Sequence, residues 1–169
     1  MNLLKPREIT FADIELKPQS DVKRGNGPDN FYAFVVPYLK GHAVAEMLDD
    51  WVTPLGWKDH YEQREDGMIV CYLSVWSPER EQWVTKEDIG ANSREFSSGG
   101  AGNAQQGGIS DAFKRCASRK WGVGRRIYDL KGVTAPMNGW TKGDGKIDGR
   151  VDEATYNKVR RDYQGLFPW

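Results

Sequence analysis

Met68-Ile69-Val70-Cys71-Tyr72-Leu73-Ser74-Val75-Trp76 is the stretch that decides the fold of this chain. It is rich in β-branched and aromatic residues, which favour a strand. Successive side chains of a strand point to opposite faces, and here both faces are apolar apart from Ser74. We therefore predict a central strand that is covered on both faces. One face carries Met68, Val70, Tyr72 and Trp76, and the other carries Ile69, Cys71, Leu73 and Val75.

Two further strands are predicted beside this one. Residues 59–65 precede it and are joined to it by the turn Glu65-Asp66-Gly67. Residues 81–86 follow it after Ser77-Pro78-Glu79-Arg80. Short connections of this composition are typical of hairpins, so the sequence predicts a three-stranded antiparallel meander.

A helix is predicted over about residues 41–52, where Pro54 supplies the stop. Its apolar residues recur at i, i+3, i+4 and i+7, so we expect its apolar face to pack on the sheet. These residues are Val44, Met47, Leu48 and Trp51.

A second, basic helix is predicted to start at Ser110 as N-cap and to end at Gly122 and Gly124. A spacing of 100° places Phe113, Cys116, Ala117 and Trp121 on one arc and Lys114, Arg115 and Arg119 on the opposite arc. Lys120 falls toward the apolar arc. Either the helix is distorted near its end or this side chain extends out to solvent.

Residues 97–108 contain five glycines and nothing apolar larger than alanine, so we expect a mobile loop. The loop is not a phosphate-binding P-loop, because Gly107 is followed by Gly108-Ile109 where Lys-Ser/Thr is required. The predicted organisation is an N-terminal arm over residues 1–30, a core domain over residues 31–131 and a C-terminal tail over residues 132–169 with a helix at 151–163. The fold class is α+β: a meander packed against an N-terminal helix and a long basic helix.

The net charge of zero hides an asymmetry along the chain. Residues 1–107 carry 11 Lys and Arg against 17 Asp and Glu, whereas residues 108–169 carry 13 against 7. Such a basic half is typical of a polyanion-binding protein, and residues 108–131 hold seven cations against only Asp111 and Asp129. A solvated basic face, or attraction between the two halves, is the alternative interpretation.

Other classes of protein are disfavoured by composition. No apolar run approaches the roughly 20 residues of a membrane-spanning helix, and the N-terminus lacks a secretory apolar region. Cys71 and Cys116 are read as buried thiols, so we expect a cytoplasmic protein. No cofactor or metal is expected, since Lys146 and Thr155 break the calcium-loop pattern that starts at Asp144.

A series of short motifs resembles, in order, the N-terminal domain of the Rad-fifty-two-type single-strand annealing proteins, and is most similar to the bacterial and phage branch that includes DdrA. The likeness covers roughly residues 20–131. Its pieces are Tyr38-Leu39-Lys40-Gly41-His42-Ala43-Val44, Gly56-Trp57, Cys71, Lys86-Glu87-Asp88-Ile89-Gly90, Ser110-Asp111-Ala112-Phe113-Lys114-Arg115, Trp121-Gly122-Val123-Gly124-Arg125 and Tyr128.

The resemblance implies a non-enzymatic, ATP-independent protein of homologous recombination and DNA repair. Such a protein forms a homo-oligomeric ring or filament, holds single-stranded DNA in a basic groove and anneals complementary strands. A single-strand-binding protein or an exonuclease is a further candidate partner. The resemblance implies an annealing-protein fold for the core.

In that family the pair matching Lys114 and Arg115 lines the DNA groove. The eukaryotic members carry an arginine directly after Gly-His, where this chain has Ala43, so that contact is either missing or replaced by Lys40. The run from Lys114-Arg115 to Trp121-Gly122 is also one residue longer than the family pattern. The predicted DNA-binding residues are Lys114, Arg115, Arg119, Lys120, Arg125, Arg126, Lys131, Lys40 and Lys58.

Two other functions remain open. A Mg²⁺-dependent nuclease would need carboxylates to converge with Lys86 around a metal ion, and no Asp…Glu-x-Lys spacing supports one. These carboxylates are Asp66, Glu79, Glu87 and Asp88. A passive single-strand binder would coat DNA and slow pairing.

Overall fold

The structure is a computed structural model that describes residues 5–19, 23–24, 26, 31–90, 100–141, 147–151, 154, 157–158 and 161. The chain divides into two compact units, Met1–Glu8 with Gly41–Arg125 and Ile9–Lys40 with Arg126–Trp169. This division differs from the predicted arm, core and tail. The described secondary structure is of the mixed α+β class with antiparallel sheets.

The first unit contains the predicted meander. Strands β4 (Trp57–Gln63), β5 (Ile69–Ser77) and β6 (Gln82–Gly90) form an antiparallel sheet in the order β4-β5-β6. Cys71 pairs with Tyr61 on one side and with Asp88 on the other. The prediction of a three-stranded meander with a central strand is confirmed.

Helix α1 (Gly41–Val52) has the predicted bounds, and its Val44, Met47 and Leu48 are fully buried. Helix α2 (Gly100–Arg115) covers one face of the sheet, where Cys71 and Leu73 are fully buried. The two helices and this face of β5 therefore form the core of the first unit.

The opposite face of β5 is more open than predicted. Met68, just before the strand, is 37% exposed and Trp76 is 38% exposed, while Tyr72 is half-buried. The prediction that both faces are covered is confirmed for Val70 and Ser74, which are buried, but is wrong for Met68 and Trp76 at the ends of this face. Apolar content cannot distinguish a covered face from an exposed aromatic one, because folded proteins expose much apolar surface.

Helix α2 begins ten residues before Ser110, so the prediction of a loop over residues 97–108 is wrong for residues 100–108; residues 97–99 lie outside the described part. Tertiary context can override the low helix propensity of glycine. Gly90 of β6 lies directly against the later part of α2, where a Cβ at Gly90 would lie 2.5 Å from Ala112 N and 2.6 Å from Gly108 O. The lack of a side chain at Gly90 permits this close approach.

The end of the basic helix is distorted, as its sequence pattern predicts. Residues Cys116–Trp121 continue α2 as a π-helical turn that ends at Gly122, which has a left-handed backbone with φ 82°. A π-turn makes i→i+5 hydrogen bonds and so contains more residues than an α-turn.

The second unit contains a sheet that the sequence did not predict. Strands β1 (Ile14–Pro18), β2 (Lys23–Arg24), β3 (Phe31–Leu39), β7 (Val133–Thr141) and β8 (Ile147–Val151) are all antiparallel. The order is β1-β3-β7-β8, and β2 also pairs with β3. Val35 pairs with both Pro18 and Val133.

The predicted arm and tail therefore both contribute strands to this sheet. The sequence gives little local signal for β7, because Pro136 and Gly139 lower its strand propensity and its partner β3 lies about a hundred residues earlier. Of the predicted helix over residues 151–163, Val151 is in β8, while Ala154, Asn157, Lys158 and Arg161 are helical. The other residues of that range lie outside the described part.

None of the helices in the described ranges is long and apolar enough to cross a membrane.

Candidate functional site

Four of the predicted DNA-binding cations lie together where α2 passes into the π-turn. Lys114 and Arg115 close the last turn of α2 and are half-buried, whereas Arg119 and Lys120 lie in the π-turn and are exposed. We call these four residues the basic helix end. Cations at a helix C-terminus also interact favourably with the helix dipole, so part of their placement is intrinsic to the helix.

The Ser118 hydroxyl donates to the preceding helical turn at the point where α2 changes from α- to π-helical geometry. Ser118 Oγ donates to Lys114 O at 2.6 Å and lies 3.5 Å from Arg115 O. A serine that bonds back to the preceding turn offers the backbone an alternative to the regular helical ladder. The Ser118 side chain is itself buried, so this bond fixes the turn that displays Arg119 and Lys120.

Arg115 contains an unusual buried group. Its Nε is sealed from solvent and has no hydrogen-bond partner within the described part of the chain. A buried donor without an acceptor costs free energy, and an absent ligand or ion is one of the ordinary explanations. A phosphate oxygen is an acceptor of the kind that a guanidinium binds most strongly.

Arg125 is committed to the protein backbone. Its Nε donates to Ser118 O at 3.2 Å and its Nη2 donates to Arg119 O at 3.0 Å. These carbonyls belong to the end of the helix, where main-chain acceptors lack partners of their own. Arg125 therefore caps the π-turn, a structural role that its sequence position did not reveal.

Lys86 is a functional candidate that the predicted DNA-binding set missed. Its Nζ donates to Lys120 O at 2.8 Å and lies 4.3 Å from the centre of the Trp121 ring. An ammonium has three donors, so this contact leaves Lys86 able to bind an anion as well. The motif around Lys86 was visible in the sequence, but its proximity to the basic helix end depends on how α2 crosses β6.

The open face of the sheet carries aromatic rings and one predicted cation. Lys58 Nζ lies 4.5 Å from the centre of the Trp83 ring, and the Trp83 and Trp76 rings are 5.6 Å apart in an edge-to-face arrangement. Both indoles are 38% exposed. Lys58 thus belongs to an aromatic cluster within the first unit, which suits nucleic-acid bases as well as phosphates.

The other three predicted residues belong to the second unit. Lys40 Nζ donates to Ala12 O at 2.7 Å, and Arg126 lies 3.9 Å from the carboxylate of Asp129. Lys131 is exposed. The bond to Ala12 gives Lys40 a structural role in joining the start of the second unit to the end of β3.

The carboxylates of the nuclease alternative are spread over the sheet. Asp66 and Glu79 lie in the turns at opposite ends of β5, whose nine residues extend about 27 Å. Glu87 and Asp88 are consecutive in β6 and so point to opposite faces. Within the described ranges, no group of three or more His, Cys, Asp or Glu side chains could hold a metal ion.

The two cysteines are buried free thiols, as predicted. A hydrogen bond with Cys116 and burial raise the pKa of the Cys71 thiol, while burial and the nearby Asp59 raise the pKa of Tyr61. Cys116 Sγ lies 3.3 Å from Lys86 O, to which it donates. The hydrogen bond with Cys71 lowers the pKa of Cys116. The bond of Cys116 to Lys86 O joins the π-turn to β6.

The first unit thus carries four cations at the basic helix end and an aromatic cluster on the open face of the sheet. No protein-family model, curated protein or solved structure matches this chain.

Proposed function

We propose that this protein binds single-stranded DNA through the basic helix end and anneals complementary strands without ATP. The single observation that carries the proposal is the buried Arg115 Nε, which has no acceptor within the described residues and lies among three further cations. The resemblance of the core to the single-strand annealing proteins supports the same assignment, and the annealing-protein fold is part of the proposal.

Phosphate is the group that fits this position. A phosphate oxygen near Arg115 would accept from the guanidinium in a charge-assisted hydrogen bond, which is shorter and stronger than a neutral one. Lys114, Arg119 and Lys120 would neutralise adjacent phosphates and release the counterions that surround them. These contacts read the backbone and not the bases, so the binding is expected to depend only weakly on sequence.

Annealing then requires no reacting group in the protein. Base pairing is favourable once two strands meet, but the strands repel each other and remain together only briefly. A protein that neutralises one strand and leaves most bases accessible reduces the repulsion and prolongs the encounter. Stacking of every base against the protein would instead sequester the strand, as passive single-strand binders do.

Assembly of several copies would extend the basic helix end into a longer groove. A ring or filament multiplies weak contacts through effective concentration. The opposite charges of residues 1–107 and 108–169 support head-to-tail contacts, in which an acidic surface of one copy meets a basic surface of the next.

The proposal is tested with the double variant Lys114→Ala/Arg115→Ala. Hydrogen bonds to charged groups contribute about 1.5–3 kcal/mol each, so we expect at least a tenfold loss of affinity, about 1.4 kcal/mol, for a labelled oligonucleotide. The control Lys17→Ala/Lys23→Ala removes the same charge from exposed strand positions of the second unit. Equal affinities for the two double variants would contradict the assignment.

Mixing complementary oligonucleotides distinguishes annealing from the alternatives. Faster duplex formation in EDTA, without ATP, is the expected result. Slower duplex formation would indicate a passive binder, and cleavage of single strands in Mg²⁺ or Mn²⁺ would indicate a nuclease. Either outcome would overturn the annealing proposal.

A further inference from the structure

A cavity of about 370 Å³ opens at the end of the meander, beside the turn that joins β5 to β6. Its volume lies within the range of about 300–1,000 Å³ that is usual for small-ligand sites. The cavity is built within the first unit. Its lining consists of Trp51, Val52, Val75, Trp76, Ser77, Pro78, Glu79, Arg80, Val84, Lys86 and Trp121.

The walls suit a flat aromatic ring. Two indoles from different elements line the cavity: Trp51 of α1 and Trp121 of the π-turn. Their rings are 6.1 Å apart at an interplanar angle of 60°, so they form an angled wall. Both rings are half-buried, although burying such a ring fully normally stabilises a core. Trp76 of β5 also lines the cavity, but its ring lies against Trp83 on the open face of the sheet.

The charges at the cavity suit an anion attached to that ring. Lys86 lines the cavity and keeps donors in excess of its one bond to Lys120 O. Arg80 adds a second cation, whereas Glu79 adds an opposing carboxylate. Lys86 therefore has the better placement for a phosphate, because its side chain is fixed against the π-turn and Trp121.

We propose that this cavity holds one nucleotide of the single strand, with the base against the indoles and its phosphate at Lys86. The inference rests on the proposed function and deepens it. The bond from Lys86 to Lys120 O places this cavity residue next to the π-turn that carries Arg119 and Lys120. Aromatic surface interleaved with cations is the usual design for sequence-tolerant binding of single strands.

One base held in each copy of the protein fixes the position of the strand along the protein, because phosphate contacts alone allow the strand to slide. The bases between two occupied cavities stay outside and remain available to a second strand. Base capture in each cavity is thus compatible with annealing, whereas capture of every base is not.

The test compares an oligo-dT with an abasic oligonucleotide of equal length. Stacking of one base on an aromatic side chain corresponds to about a five- to 150-fold gain in affinity, so we expect the wild-type protein to prefer oligo-dT by at least fivefold. Trp51→Ala should remove most of this preference, and circular dichroism checks that the variant, whose replaced ring is half-buried, remains folded. Trp83→Ala is the control, because Trp83 lies on the open face of the sheet and does not line the cavity.

The outcomes separate this inference from the proposed function. Lys114→Ala/Arg115→Ala should weaken the binding of both oligonucleotides and keep their ratio. Equal wild-type affinities for oligo-dT and the abasic strand, or loss of the preference in Trp83→Ala alone, would overturn the cavity assignment. Failure of the wild-type protein to bind either strand would instead overturn the proposed function.

A free nucleotide has the same chemistry as a nucleotide within the strand. Titration with thymidine monophosphate distinguishes the two sources. Binding of the monophosphate that depends on Trp51, without any preference between oligo-dT and the abasic strand, would assign the cavity to a free nucleotide and contradict the strand assignment. Competition by the monophosphate only at much higher concentration than oligo-dT is the expected result.

Discussion

Arg115 and Arg125 carry the same guanidinium group, but their surroundings give them different roles. Arg115 has a buried Nε without an acceptor among the described residues, whereas Arg125 donates to two carbonyls of the π-turn. A donor already bonded to the backbone contributes to folding, and one without an acceptor is available to a ligand. Sequence position alone does not distinguish these two arginines, because both are basic residues near the end of one helix.

The structural role of Arg125 gives the first prediction at this scale. Arg125→Met keeps much of the aliphatic stem but removes both hydrogen bonds, so we expect the free energy of unfolding to fall by about 1–2 kcal/mol. Urea denaturation followed by circular dichroism measures the change. The control Lys120→Met removes an exposed cation from the same turn and should alter stability by less than about 0.5 kcal/mol. Equal stabilities of the two variants would contradict the capping role.

Lys86 shows what a residue-level reading of the sequence misses. It lies in strand β6, 34 residues before the carbonyl of Lys120 to which its Nζ donates. The local sequence pattern does not predict that Lys86 and Lys120 are in contact. They meet because strand β6 packs against the π-turn at the end of α2.

At the scale of elements, the contact between β6 and α2 decides where the basic helix end lies. Gly90 allows the α2 backbone to approach the strand at Gly108 and Ala112, and residues 100–108 are helical in spite of their glycines. Helix propensity disfavours each such glycine by about 1 kcal/mol relative to alanine. Tertiary packing routinely overrides differences of this size.

Gly90→Ala tests this contact. The added Cβ would lie 2.5 Å from a backbone nitrogen that cannot move without shifting the helix, so we expect a destabilisation of about 1–3 kcal/mol. Thermal or urea unfolding provides the measurement. In Gly41→Ala the new Cβ would lie 3.7 Å from Ser110 Oγ, an ordinary contact, and this control should be neutral or slightly stabilising. A neutral Gly90→Ala would mean that α2 does not approach the strand this closely.

The π-turn is an element that the sequence did indicate. Lys120 departs from the apolar and basic arcs of a regular helix. The π-turn leaves Lys120 exposed between the buried Ala117 and Trp121, whose Nε1 donates to Leu73 O at 3.1 Å. Both flanks of the turn thus keep their packing on the sheet.

At the scale of the whole molecule, charge is distributed along the chain without a net excess. The 13 cations and 7 acids of residues 108–169 are offset by the acidic first part, so the pI of about 6.7 gives no hint of a polyanion partner. Binding must then depend on a local cluster and should be strongly sensitive to salt.

Salt dependence of binding is the prediction at this scale. Each phosphate neutralised on a single strand contributes a slope of about −0.7 to log K against log salt, so four cations at the basic helix end should give roughly −3. Lys114→Ala/Arg115→Ala should halve that slope to about −1.4, for the same reason. Fluorescence anisotropy between 50 and about 300 mM NaCl measures both values. A wild-type slope near zero would exclude phosphate contacts as the basis of binding.

The sequence by itself determined the elements whose signals are local. The alternation of β5, the turn residues beside it and the spacing of Val44, Met47 and Leu48 fixed the meander and α1 because each depends on neighbours within one turn or hairpin. The basic arc of α2 and its distorted end were readable for the same reason.

Only the tertiary structure decided the features that join distant parts of the chain. The pairing of β3 with β7, the bond from Lys86 to Lys120 O and the cavity beside Trp51 and Trp121 all require segments far apart in sequence to meet. Such contacts form when packing free energy exceeds the loop-closure entropy and the weak local preferences that oppose it. A sequence pattern does not show how large the packing free energy is relative to that entropy, so it cannot predict these contacts.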